Sequence, residues 1–225
     1  MDGNPAVHAF VGRARVNLMT MRSRRLSCCL TLVLLMLAAC SAAPPPPEVG
    51  NPRVPAGAKS SGGQHAIVET GMGAVEIEFF ATDAPKAVEN FRLLAEHGYY
   101  DGLTFHRIIK GFMLQGGDPA GDGSGGQSAW GASFADEIAD SALYRAGYRR
   151  GIVAMANSGA NTNGSQFFIM HDDYPLPPNY VIFGKVTAGL DVVDAIANTP
   201  TRMGGDGNMS APVTPQVIKK VTIRP

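Results

Sequence analysis

Hydrophobic and polar residues alternate in the second half of the segment "AIVETGMGAVEIEFF". Val75, Ile77 and Phe79 would share one face of a β-strand, because successive side chains of a strand point to opposite faces. The Gly-Met-Gly triplet before them is typical of a turn. The segment therefore predicts a β-hairpin that buries one face, as in a barrel or a one-sided sheet.

The period of the pattern changes in the next segment, "TDAPKAVENFRLLAEHGYYDG". Ala87, Phe91 and Leu94 recur at the spacing of an amphipathic helix. Pro85 suits the first turn of such a helix, and Gly98 suits the position just after its end. This segment therefore predicts an α-helix between the proline and the glycine.

The rest of the chain contains short apolar runs and a second helical pattern near its end. Strands are predicted over residues 104–109, 112–115, 152–156, 166–170 and 181–186 and in the final "QVIKKVTI", and a second helix over residues 190–198. Many short strands with only two helices indicate a mainly β domain. The pattern alone leaves an antiparallel barrel and a sandwich with helical covers both open.

The N-terminal region has the pattern of an exported protein. Three arginines precede an apolar run over residues 30–39, which is too short for a membrane span of about 20 residues but suits a signal-peptide core. The run ends in Leu-Ala-Ala-Cys, and small residues before a cysteine resemble a bacterial lipobox. We therefore expect a lipoprotein signal peptide over residues 19–39 and a lipid on Cys40. An ordinary secretory signal with a chance cysteine is the alternative.

Two further segments complete the predicted domain organisation. Residues 1–18 match no signal pattern, so we interpret them as a non-native or disordered extension. Residues 40–63 are rich in proline, glycine and small polar residues, which predicts an extended linker. The folded domain is then expected over residues 64–225. We expect the protein to be anchored in a membrane on its extracytoplasmic side, in the periplasm or on the cell surface.

Composition and charge exclude several classes of function. The chain has 225 residues and a formal net charge of zero, so it has no strong basic excess to neutralise phosphates, and we expect no nucleic-acid partner. Its cysteines, Cys28, Cys29 and Cys40, all precede the predicted domain, which therefore has no disulfide or thiolate chemistry. The five histidines show no metal-ligand spacing. We accordingly expect no metal and no cofactor.

The glycine-rich segment "GGDPAGDGSGGQS" matches several motifs only superficially. Gly121, Gly123 and Gly126 fit the dinucleotide pattern GxGxxG, but the segment does not lie in a βαβ unit. No Gly-Lys-Ser/Thr follows, which excludes a Walker-type phosphate loop. The similarity to the Gly-Asp-Ser-Gly-Gly of serine proteases is interrupted by Gly123. We interpret this segment as a flexible, turn-rich loop.

Three other segments carry a specific resemblance. They are "FHRIIKGFMLQGGD", in which Arg107 lies inside an apolar run, "MANSGANTNGSQFFI" and "YVIFGKV". In this order they resemble the signature segments of cyclophilin-type peptidyl-prolyl cis-trans isomerases, in particular bacterial members. The resemblance extends from about residue 64 to residue 225. It implies a closed eight-stranded antiparallel barrel capped by two α-helices, which agrees with the mainly β pattern.

The resemblance implies a reaction that needs no nucleophile. Rotation of an X–Pro bond breaks no covalent bond, and its barrier of about 18–20 kcal/mol comes from amide resonance. As the bond twists, the prolyl nitrogen regains a lone pair, so a cation directed at this nitrogen binds the twisted state more tightly than the planar one. Arginine suits this role because its guanidinium stays charged and is rigid.

The resemblance also implies the residues of the site. Arg107 would be the catalytic cation, and Gln115 would hold Arg107 and the substrate carbonyl. The implied substrate-binding residues, which would form a proline pocket and the adjoining groove, are Phe112, Met113, Ala156, Asn157, Gln166, Phe168, Leu176 and Tyr180. The expected substrates are proline-containing segments of exported proteins, whose folding the enzyme would assist as a monomer. A peptide-binding or chaperone module with incidental catalysis is the alternative function.

The sequence departs from eukaryotic cyclophilins in "PLPPNY". Pro175 stands where those proteins carry a tryptophan, and Tyr180 stands where they carry a histidine. Bacterial members commonly have the tyrosine, so we expect activity to be retained. Cyclosporin binding in the family depends on the tryptophan, so we expect only weak inhibition by cyclosporin.

Overall fold

The computed structural model of the protein describes residues 54–225. The predicted extension, the signal peptide, the lipidation site Cys40 and most of the linker therefore lie outside the described residues. Between residues 54 and 225, no helix is both long and apolar enough to cross a membrane.

The described chain contains ten β-strands and three α-helices. In chain order they are β1 His65–Thr70, β2 Gly73–Phe79, α1 Pro85–Glu96, β3 Thr104–Ile109, β4 Met113–Gly116, α2 Ala142–Ala146, β5 Ile152–Met155, β6 Phe167–Met170, β7 Ile182–Ala188, α3 Leu190–Ala197, β8 Thr201–Met203, β9 Met209–Pro212 and β10 Gln216–Arg224. All the predicted strands and both predicted helices are present, with ends shifted by a few residues at most.

Eight of the strands form one antiparallel, strongly curled sheet. Their order is β1-β10-β3-β4-β6-β5-β7-β2, and β2 pairs back with β1. The mainly β, eight-stranded antiparallel architecture is thus confirmed, and the sandwich is excluded. The prediction of a closed barrel needs correction at one seam, because β10 meets β3 at only two residue pairs, Gln216 with Phe105 and Val217 with Thr104. Because strand pairing at this seam is so short, the barrel is strongly curled but not fully closed.

The hairpin at the start of the domain follows the predicted alternation. Val75, Ile77 and Phe79 of β2 are buried in the main core, and Val68 of β1 lies opposite Val75 in the register. The glutamates between them remain at least partly exposed. Burial of one face fixes the register, because a slip by one residue would turn the apolar side chains toward water.

Two longer helices cover the sheet, as predicted. Helix α1 begins at Pro85 and buries Phe91 and Leu94, and Gly98 follows it with a positive φ of 70°. Helix α1 packs against β7 and β10, and α3 packs against β2. The capping helices thus supply apolar side chains to the core that the curled sheet encloses.

A short helix and a two-stranded hairpin were not predicted from the sequence. Helix α2 has only five residues and no fully buried side chain, so it produces no readable apolar period. Strands β8 and β9 form a separate two-stranded sheet, and β9 packs beside β3. Both elements lie close to the functional site described below.

The described part of the predicted linker lies against the domain. Ser61 Oγ donates a hydrogen bond of 2.6 Å to Glu96 Oε1 at the end of α1. Ser60 donates from its backbone N–H to Glu89 Oε1 at 3.1 Å, and Val54 packs against the main core. The described end of the predicted linker thus contacts the domain at several points, and the boundary at residue 63 stays a prediction.

Candidate active site

Strand pairing brings the three motif segments together on one side of the sheet. Arg107 on β3 lies opposite Gln115 on β4, and Gln115 lies opposite Phe168 on β6. Phe168 in turn lies opposite Ala154 on β5, next to the segment with Asn157. Residues far apart in the sequence therefore become neighbours because their strands are adjacent in the sheet.

A small cavity of about 110 Å³ lies at this convergence. The residues that line it are Arg107, Phe112, Met113, Gln115, Ala156, Asn157, Phe168, Leu176 and Tyr180. The tenth predicted residue, Gln166, lines an adjoining cavity together with Gln115 and accepts a hydrogen bond of 2.8 Å from Gln115 Nε2. The structure thus places every residue of the predicted site in the described domain at or beside one cavity, whereas Cys40 lies outside the described residues.

Arg107 lies at the edge of this cavity with its guanidinium held by several groups. Its Nε donates to Asp206 Oδ2 at 2.7 Å, and its Nη1 lies 3.4 Å from Gln115 Oε1 and 3.7 Å from Met113 Sδ. Its Cζ lies 5.8 Å from the ring centroid of Phe112, within the range of a cation–π contact. The side chain of Arg107 is 27% exposed and that of Asp206 is 26% exposed, so the acid that binds the arginine is not deeply buried.

Asp206 is the member of this arrangement that the sequence analysis missed. It lies in the turn between β8 and β9, ninety-nine residues after Arg107, and forms no motif with its sequence neighbours. A carboxylate so far along the chain gives no signal in the sequence of a contact with the arginine. Only the packing of β9 beside β3 brings the two side chains together.

The apolar wall of the cavity belongs to a small second core, distinct from the main core of the barrel. Met113 and Phe168 are buried in it, and the ring of Tyr180 packs edge-on against Phe168 with centroids 5.5 Å apart. Met113 and Phe168 are both buried and still line the cavity. Phe112 is only partly buried.

Tyr148 fixes the position of Tyr180 from behind. Its hydroxyl donates to the carbonyl of Tyr180 at 2.8 Å and accepts from the N–H of the same residue at 3.1 Å. Burial raises the pKa of Tyr148 to about 12, although its hydrogen bond with Tyr180 acts in the opposite direction. The hydroxyl therefore stays protonated at neutral pH and can make both hydrogen bonds.

The glycine-rich loop supports the polar side of the cavity. Gln166 Nε2 donates to the carbonyls of Gly123 at 3.0 Å and Gly125 at 2.8 Å. The carboxylate of Asp118 is buried and accepts backbone N–H groups within the loop, among them that of Gly123 at 2.6 Å. The segment is turn-rich as predicted, and its carbonyls hold Gln166, which in turn bonds Gln115.

His106 precedes the arginine and lies beside this loop. Both of its ring nitrogens are buried, and neither has a hydrogen-bond partner within residues 54–225. Desolvation lowers the pKa of His106, and the nearby Arg107 adds to this effect, whereas Asp118 and Asp122 oppose it. The imidazole is therefore neutral at pH 7.

Tyr174, the neighbour of Pro175, provides an aromatic ring near the position where eukaryotic members carry a tryptophan. Tyr174 packs on Phe112 with ring centroids 4.3 Å apart and ring planes tilted by 37°, and it is 45% exposed. An aromatic side chain thus covers the outer side of Phe112 although the tryptophan of eukaryotic members is absent.

In residues 54–225, no three His, Cys, Asp or Glu side chains are grouped so that they could hold a metal ion.

The chain is similar to known proteins over most of its described residues. The family model for cyclophilin type peptidyl-prolyl cis-trans isomerase matches residues 65–223. The chain belongs to this family. A peptidyl-prolyl cis-trans isomerase of Arabidopsis thaliana is 52% identical over 138 residues, which cover 61% of this chain and 84% of that protein. Peptidyl-prolyl cis-trans isomerase 9 of Schizosaccharomyces pombe is 47% identical over 162 residues, which cover 72% of this chain but 25% of that longer protein.

Solved structures show the same cyclophilin fold. A crystal structure of a cyclophilin-type peptidyl-prolyl cis-trans isomerase from Cryptosporidium parvum matches with a TM-score of 0.66 at 40% identity, covering 72% of this chain and 98% of that chain. A second crystal structure of that protein, in the presence of the dipeptide Ala-Pro, matches with a TM-score of 0.65. The predicted family and enzyme class are therefore confirmed. These relatives are eukaryotic, so bacterial origin and the lipoprotein signal stay predictions.

Proposed function

We propose that this cyclophilin accelerates X–Pro isomerisation by stabilising the twisted prolyl amide with Arg107, and that its substrates are exported proteins whose folding it assists. The observation that carries the catalytic part is the position of the Arg107 guanidinium, at the edge of the small cavity that Met113 and Phe168 line. The Ala-Pro dipeptide used with the Cryptosporidium relative supports proline-containing peptides as the ligand class.

The apolar wall and the cation act together in this proposal. A proline ring would enter the cavity against Met113 and Phe168, and its nitrogen would then face the guanidinium of Arg107. Exclusion of water strengthens the interaction between the guanidinium and the nitrogen lone pair. Since the lone pair exists only in the twisted state, this interaction lowers the barrier, and each ~1.4 kcal/mol of preference raises the rate about tenfold.

Gln115 would hold both Arg107 and the substrate carbonyl. Its Oε1 faces Arg107 Nη1 at 3.4 Å, and its Nε2 donates to Gln166 Oε1 at 2.8 Å. An amide nitrogen carries two hydrogens, so the second hydrogen of Nε2 remains for a substrate carbonyl. Gln166 is itself fixed by the glycine-rich loop, which gives this donor a defined orientation.

The proposed location follows from the leader of the sequence. A lipid on Cys40 would hold the domain on the extracytoplasmic side of a membrane, where exported polypeptides fold. Proline isomerisation is slow enough, at tens to hundreds of seconds, to limit the folding of such polypeptides. The enzyme would act as a monomer, because one copy of the domain contains all the predicted cavity residues.

A protease-coupled assay with a proline peptide tests the catalytic proposal on the full chain. We expect Arg107→Ala to lose nearly all rate acceleration while the affinity for the peptide is retained, because the apolar wall of the cavity is unchanged. Arg145→Ala is the matched control, since Arg145 is an exposed arginine paired with Asp140 and does not line the cavity. Peptide binding without acceleration in the wild-type protein would instead support the peptide-binding module.

A further inference from the structure

We propose that Asp206 is a positioning residue for the reaction, which fixes the guanidinium of Arg107 so that the edge with its Nη atoms faces the cavity. This inference rests on the proposed catalytic role of Arg107. Asp206 itself does not line the cavity and acts only through the arginine.

The contact with Asp206 is the shortest that holds the guanidinium. A distance of 2.7 Å between Nε and Oδ2 is that of a charge-assisted hydrogen bond. The distances from Nη1 to Gln115 Oε1 and to Met113 Sδ are 3.4 Å and 3.7 Å, which are long for hydrogen bonds. Asp206 therefore restrains the guanidinium more strongly than Gln115, the residue that the family motif assigns to this task.

The orientation of the guanidinium depends on which of its edges bonds Asp206, and this is the edge that carries Nε. Because the group is planar, a fixed Nε together with a Cζ above the ring of Phe112 leaves little freedom for rotation. In the described part of the chain, the hydrogen bonds of Arg107 use only Nε and Nη1. Nη2 thus remains available for the prolyl nitrogen of a substrate.

Asp206 is itself held by its own turn. Its Oδ1 accepts from Ser210 Oγ at 2.6 Å and from the N–H of Asn208 at 3.1 Å, and its Oδ2 accepts from Asn208 Nδ2 at 3.2 Å. Ser210 is buried. Burial alone would raise the pKa of Asp206, but the hydrogen bonds from Arg107, Ser210 and Asn208 outweigh it and lower this pKa. The carboxylate is therefore ionised, and Ser210 and Asn208 hold it in place beside the arginine.

A charge effect opposes this positioning effect. The carboxylate of Asp206 partly neutralises the guanidinium and so weakens its field at the prolyl nitrogen. A mobile arginine, however, would spend much of its time in other rotamers and in contact with water, and misplacement by about 1 Å can cost on the order of a hundredfold in rate. We infer that positioning outweighs neutralisation, because the negative charge lies on the edge of the guanidinium away from the cavity.

Two substitutions of Asp206 separate the two effects in the same assay. Asp206→Ala removes both the acceptor and the charge, whereas Asp206→Asn removes the charge and keeps an acceptor oxygen. We expect Asp206→Ala to lower kcat/KM about tenfold, equivalent to the ~1.4 kcal/mol of one such contact, and Asp206→Asn to lower it less. Asp140→Ala is the matched control, because Asp140 also bonds an arginine at 2.7 Å but lies in an exposed pair. Thermal unfolding of each variant checks that the fold is retained.

Two further measurements test whether Asp206 acts through Arg107. In the Arg107→Ala background, assayed at raised enzyme concentration, Asp206→Ala should change the residual rate less than twofold. In the wild-type protein the NMR signal of the Arg107 Nε–H should show a strong hydrogen bond that Asp206→Ala abolishes and Asp140→Ala leaves unchanged.

The proposal is overturned by any of three results. The first is a kcat/KM of Asp206→Ala equal to that of the wild-type protein. The second is a gain in kcat/KM in both Asp206 variants, which would show that neutralisation of the charge dominates. The third is that Asp206→Ala lowers kcat/KM equally with and without Arg107. Failure of the proposed function has a different signature, because Arg107→Ala would then keep the wild-type rate. The Nε–H signal would still report in that case whether Asp206 fixes the guanidinium.

Discussion

At the scale of single residues, the site depends on a few polar contacts at the edge of an apolar cavity. Arg107 provides the positive charge, and Asp206 and Gln115 hold it from two sides. Tyr148 bonds both backbone groups of Tyr180 and so holds that wall of the cavity. Loss of any one of these contacts leaves a polar group poorly satisfied, which typically costs about 1–3 kcal/mol when the group is buried.

A pH effect is expected from His106. Desolvation lowers the pKa of this histidine in the folded protein, so the unfolded chain takes up the proton first as the pH falls. The free energy of unfolding should therefore decrease as the pH drops below about 6.5, the usual value for histidine, and should level off below the folded pKa. Urea unfolding at several pH values between about 8 and 5 measures this decrease.

His106→Phe should remove this part of the pH dependence, because phenylalanine has a similar shape and does not titrate. His97→Gln is the matched control, since it removes a histidine at the end of α1, away from the glycine-rich loop. An unchanged pH dependence in His106→Phe would show that desolvation of this imidazole does not control stability in the acidic range.

At the scale of elements, the hairpin of β8 and β9 connects the fold to the chemistry. Its two strands form no part of the main sheet, and β9 packs beside β3, the strand that carries Arg107. The turn of this hairpin contains Asp206 and Asn208, and Ser210 lies at the start of β9. We therefore expect distortion of the turn to affect catalysis although the turn lies outside the cavity.

Gly204 allows a direct test of this connection. A Cβ at this position would collide with Ser210 Oγ and lie 2.9 Å from Asp206 Oδ1, whereas a Cβ at Gly205 would have no atom within 4 Å. Gly204→Ala should destabilise the protein by about 1–3 kcal/mol, the usual cost of overpacking, and should also lower kcat/KM by displacing Asp206. Gly205→Ala is the matched control and should change both quantities little. Chemical unfolding and the proline-peptide assay measure the two effects, and equal activity in the two variants would contradict the coupling.

At the scale of the whole molecule, the domain is one part of a longer chain whose leader determines its proposed location. The described domain provides the cavity and its supporting core, whereas the lipidation signal at Cys40 lies outside the described residues. In the described part of the predicted linker, Val54, Ser60 and Ser61 contact α1 or the core.

Lipid attachment can be tested without reference to the site. In a bacterial host, mass spectrometry should show a diacylglyceryl group on Cys40 of the processed protein, and fractionation should place the protein with membranes. Cys40→Ser should move the protein to the soluble fraction without a change in kcat/KM, because the substitution lies outside the isomerase domain. Cys28→Ser is the matched control and should stay lipidated. A processed protein that begins after residue 40 would support the ordinary secretory signal instead.

The sequence by itself determined the elements and the identity of most site residues. Alternation in β2 and the helical period of α1 are local patterns, which arise because each element must turn one apolar face to the core. The residues around Arg107 and Gln115 lie in short motif segments, so they could be recognised without knowledge of their spatial arrangement. Both residues line the same cavity and are therefore close in space, and their roles stay predictions.

Only the tertiary structure decided how these elements meet. The narrow seam between β10 and β3, the short helix α2 and the contact between Asp206 and Arg107 have no local signature in the sequence. Each depends on how far the sheet curls and on which distant segment then fills the remaining space. A contact across ninety-nine residues is set by the packing of β9 beside β3, and no periodicity of either segment encodes that distance.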